Sequence, residues 1–193
     1  MTLDGVMQAP GGPQEDTTGG FKYGGWMANY SDDVTNATIG GFLALPFELL
    51  LGRITYDIFA GYWPTANEDF PPTKPFNSTK KYVVSHEQRP LTWQNSILVT
   101  GDVAAQIKEL KNADGPDLWV HGSGNLIQTL LKNHLIDVMH IWTLPLTLGS
   151  GKRLFAEGTQ DQDFKLIESK ISPKGVIIAS YEPGGPVKPG SMV

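Results

Sequence analysis

Short apolar or β-branched runs alternate along the chain with stretches whose apolar residues recur every three or four positions, and that alternation sets the expected elements. FELLLG at 47–52 predicts a strand, and RITYDIFAGYW after it a helix in which Ile54, Ile58 and the pair Tyr62 and Trp63 fall at helical spacing. KKYVVS at 80–85 and SILVT at 96–100 predict two more strands, after which Asp102 suits the N-cap of a helix with Val103, Ile107 and Leu110 on one face. Beyond the DG turn at 114–115 the scheme repeats. DLWVHG is strand-like, GSG makes a tight turn, and NLIQTLLKNHL predicts a helix striped by Leu126, Ile127, Leu130 and Leu131. VMHIWTLPL at 138–146 predicts a strand stopped by Pro145, while FKLIESKIS at 164–172 and GVIIASYE at 175–182 flank a Pro-Lys-Gly turn as an antiparallel hairpin would. Strand–helix alternation ending in a hairpin predicts an α/β protein, mainly parallel with antiparallel strands at one edge.

A chain of 193 residues, 40% apolar, can enclose one hydrophobic core, so residues 1–182 are expected to form a single domain. The 22 Gly and 14 Pro gather in residues 5–25, 61–77 and 183–190, marking loops and a flexible Pro/Gly-rich tail at 183–193. The net charge of −5, with no Lys/Arg-rich run, argues against a nucleic-acid partner. With no Cys, disulfides, thiolate nucleophiles and Cys-ligated metals are excluded together, and the four histidines show no i, i+4 ligand pair, so no metal site is expected. No apolar stretch approaches the roughly 20 residues of a membrane span, and MTLDGVMQAPGG lacks a basic-then-apolar signal pattern, which predicts a cytoplasmic protein without a membrane partner.

Two strand-to-helix junctions carry candidate chemistry. In LWVHGSGNLIQTLL at 118–131, Gly122 and Gly124 bracket a turn that opens a helix; missing Cβ atoms and free N–H groups there suit a diphosphate, although such turns also occur only to reverse direction. Ile127 stands where a dinucleotide fingerprint has a third Gly, so a standard Rossmann site is not expected. In Gly52-Arg53-Ile54-Thr55, Arg53 would oppose the helix dipole unless an anion neutralises it; the alternative is a surface Arg paired with Asp57 four residues on. The two junctions together fit a dinucleotide lying across the strand ends. GSGKRLF at 149–155 is not a P-loop, since Arg153 and Leu146 stand where that motif needs Ser or Thr and its first Gly. Neither Ser85 nor Ser123 has a G-x-S-x-G setting. Asp32 or Asp33 suits a helix N-cap, Trp26 and Met27 could wall an aromatic ligand or anchor their loop, and Asp4 has no evident structural duty.

TLDG at 2–5, LLLGRITYDIFAGYWP at 49–64, KYVVS at 81–85, DLWVHGSGNLIQTLL at 117–131 and PLTLGSGKRLF at 145–155 together resemble the dihydrofolate-reductase-like superfamily, in the branch of the reductase domain of bacterial riboflavin-biosynthesis deaminase/reductases. The resemblance implies a dihydrofolate-reductase-like mixed sheet with helices on both faces, NADPH across its strand ends, and hydride transfer to a small heterocyclic or carbonyl substrate. By position it implies that Gly52, Arg53 and Thr55 hold the diphosphate and the 2′-phosphate side, Ser85 the adenosine end, and Gly122, Ser123, Gly124, Asn125 and Leu126 the diphosphate. Asp4 would lie near nicotinamide and substrate as the catalytic candidate. TLDG in that family follows an apolar strand, whereas only Met1 precedes it here, so the natural chain is expected to begin upstream with such a run. Arg53 and Ser85 suit NADPH over NADH. The near-continuous apolar character of VMHIWTLPL and GVIIASYE, with the resemblance, predicts a homodimer. A nucleotide-binding or structural homodimer without turnover is the alternative to the reductase.

Overall fold

Four of the apolar runs pair side by side in parallel: β1 (Phe47–Gly52), β2 (Lys81–Val84), β3 (Ser96–Val99) and β4 (Asp117–Trp119), in the order β3-β2-β1-β4. The computed structural model describes residues 1–192, which cluster as two units: residues 36–135, holding this sheet, and residues 1–35 together with 136 onward. Leu49, Leu50 and Leu51 of β1 are all fully buried, as a strand covered on both faces requires. Leu49, Leu51 and Val83 pack with Tyr56, Trp63, Phe76 and Trp93 into one aromatic-rich core. Leu50 points the other way by strand alternation, and Ile107 from α4 (Val103–Asn112) and Leu126, Leu130 and Leu131 from α5 (Gly124–Lys132) are buried as the helical pattern predicts. Asp102 caps α4 by accepting the Ala105 N–H at 3.0 Å.

Of the set expected to face inward from the helix after β1, α2 (Arg53–Tyr62), namely Ile54, Ile58, Tyr62 and Trp63, only Trp63, which follows the last helical residue, is buried. Ile54 is 60% and Tyr62 54% exposed, whereas Tyr56 and Trp63 are buried and Phe59 packs on them. The helix carries two apolar stripes, and the aromatic one has the larger area to remove from water. The short α3 (Thr73–Ser78) adds Phe76 to the same core. One charged residue is fully buried there: the Lys81 ammonium donates to the Asn77 and Gln94 carbonyls at 2.8 and 3.2 Å and lies 4.2 Å from the Trp93 ring centroid.

In the other unit, β5 (Met139–Thr143), β6 (Asp163–Ile171) and β7 (Ile177–Gly185) form an antiparallel sheet in the order β5-β7-β6. Ile178 and Trp142 face a core made with Val6, Ala9, Phe21, Trp26, Leu144 and Val176. Thr2 forms a parallel bridge to Leu144, and the Leu3 N–H donates to the Leu146 carbonyl at 2.8 Å. Trp26 anchors its loop: it is buried, and its indole N–H donates to the Gln8 carbonyl. Asp32 caps α1 (Asp33–Leu43) by accepting the Thr35 N–H, which holds its carboxyl at about 2, below the usual carboxylate range. β7 runs three residues into the expected tail, because Pro183 and Gly185 still face Phe164 and Asp163 of β6. Pro183 lies beyond the last β5 partner of β7, Met139 opposite Tyr181, and next to a register irregularity between Asp163 and Phe164, the edge-and-bulge setting in which a strand proline is found. Val193, the end of the expected tail, lies outside the described residues. Among the described residues no helix is long and apolar enough to cross a membrane.

Candidate functional site

The carboxyl ends of β1 and β4 meet through a single hydroxyl. Gly122 and Ser123 both adopt left-handed backbone conformations, with φ of +56° and +62°. For a residue with a Cβ this costs about 1 kcal/mol or more, so something must hold Ser123 there. Its hydroxyl accepts the Gly52 N–H at 2.9 Å and donates to the Thr55 Oγ1 at 2.9 Å, tying the turn before α5 to the turn before α2. A Cβ at Gly52 would lie 3.3 Å from both Cβ and Oγ of Ser123, a tighter contact than ordinary packing, so glycine suits the close approach of the two turns.

This bridge has a consequence for both helix starts. Ser is a favoured N-cap, and Ser123 occupies the N-cap of α5, yet its hydroxyl makes no cap bond because it is turned toward Gly52 and Thr55. Gly52, at the N-cap of α2, has no side chain to cap with. The first-turn N–H groups of both helices, including those of Gly124, Asn125 and Leu126, therefore have neither an intrahelical acceptor nor a side-chain cap. Leu126 is buried through its side chain, so what it offers an anion is its N–H. The structure thus brings Gly52, Thr55 and residues 122–126 together in an arrangement that suits a diphosphate.

Arg53 is otherwise engaged. Its Nε donates to both Asp57 oxygens at 2.9 and 3.1 Å, and Nη1 and Nη2 donate to the carbonyls of Arg89 and Pro90 at 3.1 and 3.3 Å. The i, i+4 pairing with Asp57 is the one the spacing allows, while the anchorage to the loop after β2 depends on tertiary structure. The Ser85 hydroxyl is spent locally, accepting the Glu87 N–H at 3.0 Å and donating to the Glu87 carbonyl at 2.8 Å. Sequence reasoning assigns His121 no role, yet it lies two residues past the end of β4, just before the GSG turn, with the Phe59, Phe76 and Trp119 rings around it at 5.3–6.3 Å. Desolvation among those rings lowers its pKa to about 4, so the imidazole is neutral at physiological pH.

Asp4 lies in the other unit, where it does have a structural duty. Its carboxylate accepts the Thr2 hydroxyl at 2.5 Å and the N–H groups of Gly149 and Leu148 at 2.8 and 3.2 Å, and Arg153 Nη2 stands 3.8 Å away. The Thr2 hydroxyl, followed by the two backbone donors, holds its carboxyl below the usual carboxylate range. The group is ionised at neutral pH and clamps the segment that begins the glycine loop at 149–151. A role as proton donor would require these bonds to open.

Comparison with known proteins agrees with this architecture. The family model of the RibD C-terminal domain matches residues 1–178. An uncharacterized Bacillus subtilis protein, YyaP, is 32% identical over 142 residues, which is 71% of this chain and 74% of that protein. Among solved structures, a Shewanella sp. PV-4 protein named for riboflavin biosynthesis aligns over 95% of this chain and 94% of its own, with a TM-score of 0.66 and 24% identity. Dihydrofolate reductase from Enterococcus faecalis, solved with NADP(H), shares the fold at a TM-score of 0.58 and 10% identity over 95% of this chain and 92% of its own.

Proposed function

Because the chain belongs to the RibD C-terminal domain family, we propose that it is a cytoplasmic NADPH-dependent reductase acting on a small heterocyclic or carbonyl compound. The observation that carries this reading is the pair of uncapped helix N-termini joined by Ser123, a cradle for a diphosphate built without a side chain in the way. NADPH would supply the hydride; the protein would bind it and exclude water. Gly52 and residues 122–126 would bind the diphosphate through backbone N–H groups, Thr55 would steady Ser123, Arg53 would serve the 2′-phosphate side, and Ser85 would shape the adenosine end of the cradle. Asp4, ionised and committed to three donors, acts in this proposal as a positioning residue for residues 148–149, and the proton that accompanies the hydride comes from water or from the substrate's surroundings.

The saturation of Asp4 also favours a second reading, a nucleotide-binding protein without turnover. Titrating NADPH against Trp fluorescence and then following its oxidation with pteridines, pyrimidines, quinones and aldehydes separates the two. The reductase should bind NADPH, oxidise it with one of these classes, and lose binding in Gly124→Val, whose side chain would enter the cradle. Binding without oxidation supports the second reading. Wild-type affinity in Gly124→Val would reduce the GSG segment to a turn.

A further inference from the structure

Beside the cradle, two cations and two anions alternate: Arg53 and Asp57 on α2, Glu87 and Arg89 on the loop that follows β2. The Asp57 carboxylate receives Arg53 Nε on both oxygens and stands 3.6 Å from Arg89 Nη2, while Arg89 Nε is 2.6 Å from Glu87. Two guanidiniums from different elements thus converge on a single carboxylate. They cannot drift apart easily, because Arg53 also donates to the carbonyls of Arg89 and Pro90, and the loop is tied to α2 again where the Trp93 N–H donates to the Tyr56 hydroxyl at 2.8 Å. A pair of arginines fixed around one anion is how proteins recognise a phosphate monoester, and here the anion is supplied by the chain itself, one helical turn beyond Arg53.

We infer that Asp57 is a built-in competitor for phosphate: it occupies the anion position between Arg53 and Arg89 and yields it to the ribose phosphate of the ligand. Resting on the reductase reading above, this makes Asp57 the residue that sets how strongly the protein prefers a phosphorylated dinucleotide over its unphosphorylated counterpart. In the free protein the carboxylate keeps both guanidiniums aligned and cancels their mutual repulsion. A phosphate monoester, with a charge of about −1.5 to −2 and three acceptor oxygens, competes for the same donors. Asp57 and Arg89 are about half exposed, which leaves room for the exchange. Glu87 remains on Arg89 Nε throughout, and His86 beside it is exposed.

Asp57→Asn tests this, since it keeps the shape and an oxygen for Arg53 Nε while removing the charge. Affinities of wild type and variant for NADPH, NADH, adenosine 2′-monophosphate and adenosine are measured by calorimetry at low ionic strength. Removing one like charge about 4 Å from the phosphate should tighten NADPH and adenosine 2′-monophosphate roughly fivefold and leave NADH and adenosine unchanged, with the gain shrinking in about 1 M salt. Unchanged or weaker binding of the phosphorylated pair would overturn the inference, weaker binding meaning that Asp57 serves to aim Arg53. If neither protein binds a dinucleotide, the reductase reading fails, and inorganic phosphate decides the inference alone. It should then raise the melting temperature of Asp57→Asn more than that of wild type, and an equal rise would sink it.

Discussion

Ser123→Ala removes the hydroxyl that joins the two cradle turns, and its effect can be worked from the structure. The Gly52 N–H loses its acceptor and the Thr55 hydroxyl a donor, each bond contributing about 0.5–1.5 kcal/mol net, so the loss is about 2 kcal/mol. Alanine must adopt the same left-handed conformation, φ +62°, at the same cost as serine, so no strain is relieved. Ser123→Gly loses the same two bonds but recovers about 1 kcal/mol of backbone strain, which places it between wild type and Ser123→Ala. In a chain of 193 residues, 1 kcal/mol corresponds to roughly 2–4 °C, so melting should fall by about 4–8 °C in Ser123→Ala and by about half of that in Ser123→Gly. Thermal unfolding followed by far-UV circular dichroism gives these differences, and NADPH titration of the same samples should show weaker binding in both variants, because the turns are no longer held together. If Ser123→Ala melts with wild type, or Ser123→Gly melts below Ser123→Ala, the bridge does not hold the strained turn in place and Ser123 does not join the two helix starts into a cradle.

Other expectations concern separate parts of the molecule. Asp4→Asn should speed hydrogen exchange at the Leu148 and Gly149 amides; it should also flatten the loss of stability in acid, since a carboxyl with a lowered folded pKa stabilises above its unfolded pKa and loses that contribution as pH falls through the folded one. Exchange rates that match wild type would remove the clamp role. Burial lowers the Lys81 pKa to about 8, so the folded state binds fewer protons than the unfolded one between about pH 8 and 10.5, and wild type should gain stability over that window relative to Lys81→Met, by up to about 3 kcal/mol in urea unfolding. Equal pH slopes for the two proteins would refute this. On β6 and β7, Leu166 (56% exposed), Ile171 (73%) and Ile177 (44%) share the sheet face opposite Ile178 with Ile141 and Tyr181, an open apolar face that predicts a homodimer. Light scattering should give twice the 21.1 kDa chain mass for wild type and the single-chain mass for Leu166→Lys/Ile171→Lys; a monomeric wild type across the micromolar range would rule the dimer out.

Period and punctuation in the sequence were enough for most elements, because those signals are local. β1 covers the predicted 47–52, the Pro-Lys-Gly turn joins an antiparallel hairpin, Asp102 and Asp32 cap their helices, and the glycines of the GSG turn mark the start of α5. The Arg53–Asp57 pair is equally local, being one helical turn apart. Other properties required partners distant in the chain. Two apolar stripes compete on α2, and only the sheet beneath decides that Tyr56 goes inside while Ile54 and Tyr62 stay out; of the expected set, Trp63 alone is buried. A lysine opening a strand suggests a solvated edge, yet Lys81 is buried because carbonyls from residues 77 and 94 and the Trp93 ring receive its ammonium. The duty of Asp4 depends on residues 148, 149 and 153, and the bridging role of Ser123 on residues 52 and 55, 71 and 68 positions earlier. Composition and spacing determine which backbone conformations a segment prefers, whereas the commitment of a polar side chain is settled only when folding brings its donors and acceptors within about 3 Å, where the directional, short-range hydrogen bond can form.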